Sequence, residues 1–126
     1  MLGIADLYDT DGTGSGGSSV TPGKWTLMAQ GSYLNQSRTP CAYSAYERYA
    51  AGFSTPEKLN KKGTYTVSPI TSSNKGYRLD SNTDNEFFLL ENRKQEGWDA
   101  YLPGEGMLIW RVDSTNADVW EYNKVN

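Results

Sequence analysis

The sequence predicts an α+β fold, mostly β, and three observations carry that expectation. Residues 7–24 are dominated by Gly, Ser, Thr and Asp, which favour turns over regular structure. Residues 40–51 carry helix signals at both ends. Downstream, four short strand-like runs are separated by turn residues, the pattern of a small antiparallel sheet or sandwich. The expected architecture is one main helix (about 40–51) packed on such a sheet, behind a long irregular N-terminal segment.

For the helix, Thr39 is placed to cap it, Pro40 suits its first position and Gly52 suits its end. Tyr43, Tyr46 and Ala50 follow one face, flanked by Ala42, Ala45 and Tyr49, while Glu47 and Arg48 lie off that face. Among the strand runs, "GTYTVSPI" (63–70) alternates Tyr65 and Val67 against Thr64, Thr66 and Ser68. "GYRLD" (76–80) sets Tyr77 and Leu79 on one side. "EFFLLEN" (86–92) is apolar on both faces and reads as a central strand, and "GMLIWRVD" (106–113) is similar. The connection "KQEGWDAYLPGE" (94–105) is long for a hairpin loop, and long loops are more often functional. Trp98 and Tyr101 are expected to pin it to the body, with contact to a substrate as the second reading. Residues 1–53 and 54–126 are read as two parts of one unit, the second a β-rich subdomain.

The totals narrow the function. A chain of 126 residues fits one small domain. Net charge is −3, with both signs scattered and no basic stripe, which argues against a nucleic-acid partner. No run is long and apolar enough to insert in a bilayer. Cys41 is the single cysteine, so no intrachain disulfide forms, and a buried small hydrophobe is its expected role. The chain contains no histidine. That excludes a Cys-His nucleophile and removes the commonest zinc ligand and general base.

Of the short motifs, "DTDG" places Asp9, Asp11 and Gly12 as in the middle of a calcium loop. Leu7 and Ser18 stand where an EF-hand needs acidic ligands. The preferred reading is an Asx-rich turn, with Asp9 and Asp11 as candidate ligands of an irregular calcium site. "NQS" at Asn35 fits the glycosylation pattern. Asp84 with Glu86, and Glu91 with Glu96, read as solvated charges rather than an acid/base pair. Phosphate-loop, nucleophile-elbow and dinucleotide fingerprints are absent.

The opening stretch carries one more pattern. In metzincin-type zinc peptidases, HExxH sets two His one helical turn apart so that both face one metal. A Gly then turns the chain, and a third ligand three residues later swings back to the metal. Gly3 and Asp6 have that spacing. "LGIADLYDTDG", "WTLMAQGSY", "PCAYSAYERYAAGF" and "EFFLLENRKQEGWDAYLPGEGMLIWRVD" occur here in order. Together they resemble one branch of that clan, the immune inhibitor A-type secreted bacterial metallopeptidases, whose motif reads in outline HExxHxLGLPDLYD. Ala5 stands where Pro is usual in that motif.

The resemblance implies that Asp6 is the third zinc ligand of the parent and Met28 the methionine of the Met-turn beneath the metal. It implies a protein or peptide substrate and a secreted or periplasmic setting. In such enzymes zinc lowers the pKa of a bound water and the Glu of HExxH takes its proton. Here HExxH is missing, so no residue of this chain is expected to be catalytic. The expectation is a fragment that is inactive alone and holds no tight zinc. It further predicts that the apolar face left without its helix self-associates, or that residues 1–35 stay unordered. Two other classes stand beside this one. The first is a β-rich binding module contacting glycans or peptides through Trp98, Tyr101, Trp110 and Trp120. The second is a docking or inhibitory partner of a complete peptidase.

Overall fold

The structure, a computed structural model, describes residues 2–14 and 17–125. Residues 15 and 16 of the Gly/Ser-rich loop lie outside the described residues, as do the two terminal ones. Four strands form one sheet in the order β1 (Glu57–Lys58), β2 (Tyr77–Asp80), β3 (Glu86–Arg93) and β4 (Gly106–Asp113). β2, β3 and β4 run antiparallel, and β1 adds in parallel to β2. The fold is therefore a small α+β fold with a mixed sheet.

β3 is the central strand, and its strict two-residue alternation explains its role. Phe87, Leu89, Glu91 and Arg93 are buried on one face, while Glu86, Phe88, Leu90 and Asn92 are half-buried on the other. The core side thus begins apolar and ends ionic. Its apolar half joins Ala45, Ile70, Phe87, Leu89 and Val112, with Tyr46, Trp110 and Trp120 packed around them. A second cluster of Leu34, Cys41 and Leu102, flanked by Trp25 and Leu27, lies beyond the ionic half. Cys41 is buried, as its reading as a small hydrophobe requires.

The main helix spans Ala45–Ala50 and starts later than Thr39 and Pro40 suggested. Ser44 and Glu47 form a reciprocal capping box that sets this start. Ser44 Oγ accepts the Glu47 N–H at 3.2 Å, and the Glu47 carboxylate accepts the Ser44 N–H at 2.7 Å. Gly52, at φ 77°, follows the helix end as expected. The later start also changes the buried face. Ala45 and Glu47 are buried, Tyr46 is half-buried and Ala50 is exposed.

Residues 63–70 form no strand. Pro69 makes one isolated bridge to Asn92 and has no N–H to extend it. Side chains fasten the segment instead: Asn92 Nδ2 donates to the Val67 carbonyl at 2.9 Å, and the Tyr77 hydroxyl to that of Thr66 at 3.0 Å. Ile70 then opens a single helical turn and enters the core. Before the main helix the backbone is irregular, with short 3-10 turns at Gly23–Trp25 and Gly31–Tyr33. Asn35, Gln36 and Ser37 follow with φ of 50°, 57° and 63°. Three successive non-glycine residues in the left-handed region cost about 1–2 kcal/mol each. The buried Leu34 at the head of this turn anchors it.

The capping box yields a first prediction. Ser44→Ala removes a fully buried cap and lowers the unfolding free energy by about 1–2 kcal/mol. Urea denaturation followed by circular dichroism reads the shift; an unchanged midpoint would remove the capping box from the account of where the helix begins.

Candidate functional site

Thr26 to Gly31 form a tight turn that carries Met28. The Thr26 carbonyl accepts the Gly31 N–H at 2.8 Å, and the Gly31 carbonyl accepts the Cys41 N–H at 3.0 Å. A Cβ on Gly31 would overlap both Cys41 Sγ and the Thr26 carbonyl, so only glycine permits this close approach. Met28 is held by its backbone from two sides. Its N–H donates to Glu47 Oε1 at 2.8 Å, and its carbonyl accepts the Leu7 N–H at 2.8 Å. The second bond lays the residue after Asp6 against the Met28 turn. Leu2, Ile4, Met28 and Tyr43 line a small cleft of about 110 Å³ beside it. Ile4 is buried, and Leu2 is exposed.

Asp6 is half-buried and clamped by one amide. Its N–H donates to Asn123 Oδ1 at 2.6 Å, and its Oδ2 accepts Asn123 Nδ2 at 2.6 Å. Thr10 Oγ1 donates to the Asn123 carbonyl at 2.9 Å, closing the clamp. Asn123 fixes the rotamer of the carboxylate, a support that metal-ligand side chains commonly have. As a zinc donor set these residues do not suffice: Asp6 supplies one carboxylate, and among the described residues no group of three His, Cys, Asp or Glu side chains converges on a point. Asp9 and Asp11 lie in a turn. The Asp9 carboxylate accepts the Ser19 N–H at 3.0 Å. That bond, with help from the Gly12 and Asp11 N–H groups, holds it below the usual carboxylate range. The Asp11 carbonyl accepts the Gly14 N–H at 3.1 Å, closing a four-residue turn.

Behind the Met28 turn is a buried ionic network. Arg93 is fully buried, and five hydrogen bonds use the donors of its guanidinium fork. Nε and Nη2 reach the two Asp99 oxygens at 2.8 and 2.7 Å. Nη1 reaches the Trp25 carbonyl at 3.0 Å and Glu91 Oε1 at 3.3 Å, and Nη2 the Ala42 carbonyl at 3.0 Å. Burial alone would lower the guanidinium pKa; the hydrogen bonds to Asp99 and the charges of Glu91 and Asp99 outweigh it and hold Arg93 firmly cationic. The carboxylates in turn grip backbone. Asp99 Oδ1 accepts the Ala42 N–H at 2.9 Å, and Glu91 Oε2 the Ala45 N–H at 2.6 Å. Glu91 Oε1 also accepts Trp110 Nε1 at 2.9 Å. Burial pushes the Glu91 carboxyl up, opposed first by the Arg93 charge.

Two sequence expectations are corrected here. Glu91 is not a solvated charge, and Glu47 does not point away from the core; both are fully buried. Each sits there because it can satisfy backbone N–H groups that a loop leaves open. The 94–105 loop is pinned by Asp99 and Leu102, both buried, and not by its aromatics. Trp98 and Tyr101 stand 62% and 52% exposed. Trp110 and Trp120 instead pack against the core, Trp120 with its ring 5.4 Å from that of Tyr46, so the four aromatics do not form one exposed face. Sequence reading missed Gly31, Glu47, Arg93, Asp99 and Asn123. The S-x-x-E pattern at Ser44 and Glu47 was the one signal that could have pointed to Glu47. No helix of the described residues is long and apolar enough to cross a membrane. A scan of protein-family models, a search of curated proteins and a search of solved structures each find no match.

Two predictions follow from the network. Arg93→Ala strands Asp99 and Glu91 in the interior and costs about 3–5 kcal/mol. Arg93→Lys recovers little of this, because a point ammonium cannot serve a five-donor site; a lysine variant as stable as the parent in guanidinium titration would contradict the assignment. Burial pushes the Cys41 thiol from 9.0 up to about 11. Two pKa units remove about 99% of the thiolate at mild pH, so native labelling at pH 8 by a disulfide reagent runs at least about 100-fold slower than in denaturant. Because the folded pKa is raised, the linked stability is intact below pH 9 and is lost as pH rises toward 11.

Proposed function

We propose that these residues are the Met-turn side of the catalytic unit of a secreted zinc endopeptidase of the immune inhibitor A type, without peptidase activity of their own. The observation that supports this best is the bond from the Leu7 N–H to the Met28 carbonyl, 2.8 Å long. It sets the segment with Asp6 beside the turn with Met28, a neighbourhood that neither short motif dictates alone. Asn123 adds a second partner that aims the Asp6 carboxylate. Glu47, inside the "SAYER" run, supports both the helix start and the Met28 turn. On this reading Asp6 completes a metal site whose two His must come from residues other than these. The cleft of Leu2, Ile4, Met28 and Tyr43 is the seat of the helix that carries them. The substrate is a protein or peptide.

A second reading is favoured by one observation. Trp98 and Tyr101 are exposed on a loop whose base is rigidly tied through Asp99, an arrangement suited to contacting a glycan or peptide. Intrinsic fluorescence titrated with oligosaccharides and with peptides separates it from the first, since Trp98→Ala would then abolish the response.

Zinc retention tests the main proposal. After dialysis the 126-residue chain keeps no stoichiometric zinc; submicromolar zinc binding would sink this expectation. In a longer chain that supplies an HExxH helix ahead of Leu2, one zinc is retained. There Asn123→Ala weakens it by about 10–100-fold, and Asp6→Ala weakens it more. Zinc affinity indifferent to both substitutions would overturn the role given to Asp6.

A further inference from the structure

We propose that β4 is a self-pairing edge, along which two copies of this chain join their sheets in one defined antiparallel register. The inference is independent of the peptidase reading and uses a different surface from the Met28 cleft.

The parity of the ladder locates the free groups. The Ser114 N–H donates to the Asn85 carbonyl at 2.9 Å. By the antiparallel alternation, Val112, Trp110, Leu108 and Gly106 direct their backbone groups toward β3. Met107, Ile109, Arg111 and Asp113 then direct theirs outward. The Asp113 carbonyl is already taken, accepting Trp120 Nε1 at 3.0 Å. Among the described residues, no backbone bond is made to the outward groups of Met107, Ile109 and Arg111. β4 holds no Pro and no Lys, and its pairing with β3 runs without a bulge, so Arg111 and Asp113 at one end are the charges that guard this edge. Met107 and Ile109 on it are 57% and 58% exposed.

Complementarity selects the partner and the register. A two-fold pairing centred on Leu108 opposes Met107 to Ile109 of the second copy, twice. It also opposes Glu105 to Arg111, twice. Apolar meets apolar at 107 and 109 and base meets acid at 111 and 105, while Asp113 stands opposite Pro103 beyond the strand. Centring on Ile109 would instead face Met107 with Arg111. Centring on Trp110 would face Met107 with Asp113, whose carbonyl is occupied. Arg111 already contacts Glu86 and Asp113, and Glu105 accepts the Gln95 N–H. The Arg111 side chain is nonetheless 61% exposed. The opposite sheet edge, β1, is two residues long and carries Lys58 paired with Asp80. With one long edge per copy, pairing closes as a dimer rather than growing into a fibre.

Sedimentation equilibrium of the 126-residue chain tests this. A reversible monomer–dimer equilibrium is expected. Ile109→Pro removes an outward N–H and leaves the β3 ladder bonds in place; it raises the dimer Kd at least about tenfold, the scale of about 1.4 kcal/mol. Glu105→Arg, which precedes the strand, weakens the dimer without touching the ladder. Adding Arg111→Glu to it restores affinity, since the exchanged charges meet again in this register alone. Thermal melts by circular dichroism show whether the variants remain folded. A chain monomeric at every concentration overturns the proposal. So does a dimer indifferent to Ile109→Pro and to the charge exchange, or one dissociated by Met28→Asp alone, which would place the contact on the cleft.

Discussion

The guanidinium of Arg93 is the constraint on which the rest of the structure depends. Removing such a charge from water costs several kcal/mol, and the site repays this only when every donor is met. Here the acceptors come from four separate stretches: the turn at Trp25, the approach to the helix at Ala42, β3 itself through Glu91, and the long loop through Asp99. Satisfying one side chain therefore fixes four segments against one another. A one-residue slip of β3 would turn Glu91 and Arg93 outward and bring Phe88, Leu90 and Asn92 to the core side. The alternation of the strand and the ionic centre thus enforce the same register.

The carboxylates extend this order outward. Asp99, Glu91 and Glu47 meet the N–H groups of Ala42, Ala45, Ser44 and Met28. These donors lie in turns or at a helix start, where no ladder serves them. Buried acids therefore stand in for secondary structure in the part of the chain that has least of it. This is how the irregular stretch from the Met28 turn to the start of the helix keeps a defined path.

Much of the β half was legible in the sequence. β2, β3 and β4 coincide closely with "GYRLD", "EFFLLEN" and "GMLIWRVD" because alternation and turn residues agree there. Residues 63–70 alternate equally well, but Pro69 cannot donate and side-chain bonds replace the ladder. The helix start was misplaced because two cap signals compete, and the one with a reciprocal acid wins. The ionic network was not legible, since a buried Glu and a solvated Glu look alike in sequence until their partners are known. Asn123 was hidden for a simpler reason: it lies 117 residues from Asp6 along the chain.

One feature of the Met28 turn bears on how such a protein can change over time. The turn is gripped through the N–H and carbonyl of residue 28, not through its thioether. Its location is thereby uncoupled from the identity of its side chain. Ala42 and Ala45 are addressed in the same way. Drift at residues 28 and 42, which are only half-buried, can rewrite what the surface presents while the chain follows an unchanged path, whereas Ala45 is also held by its place in the core. Proline, which has no N–H to offer, is the residue barred from all three.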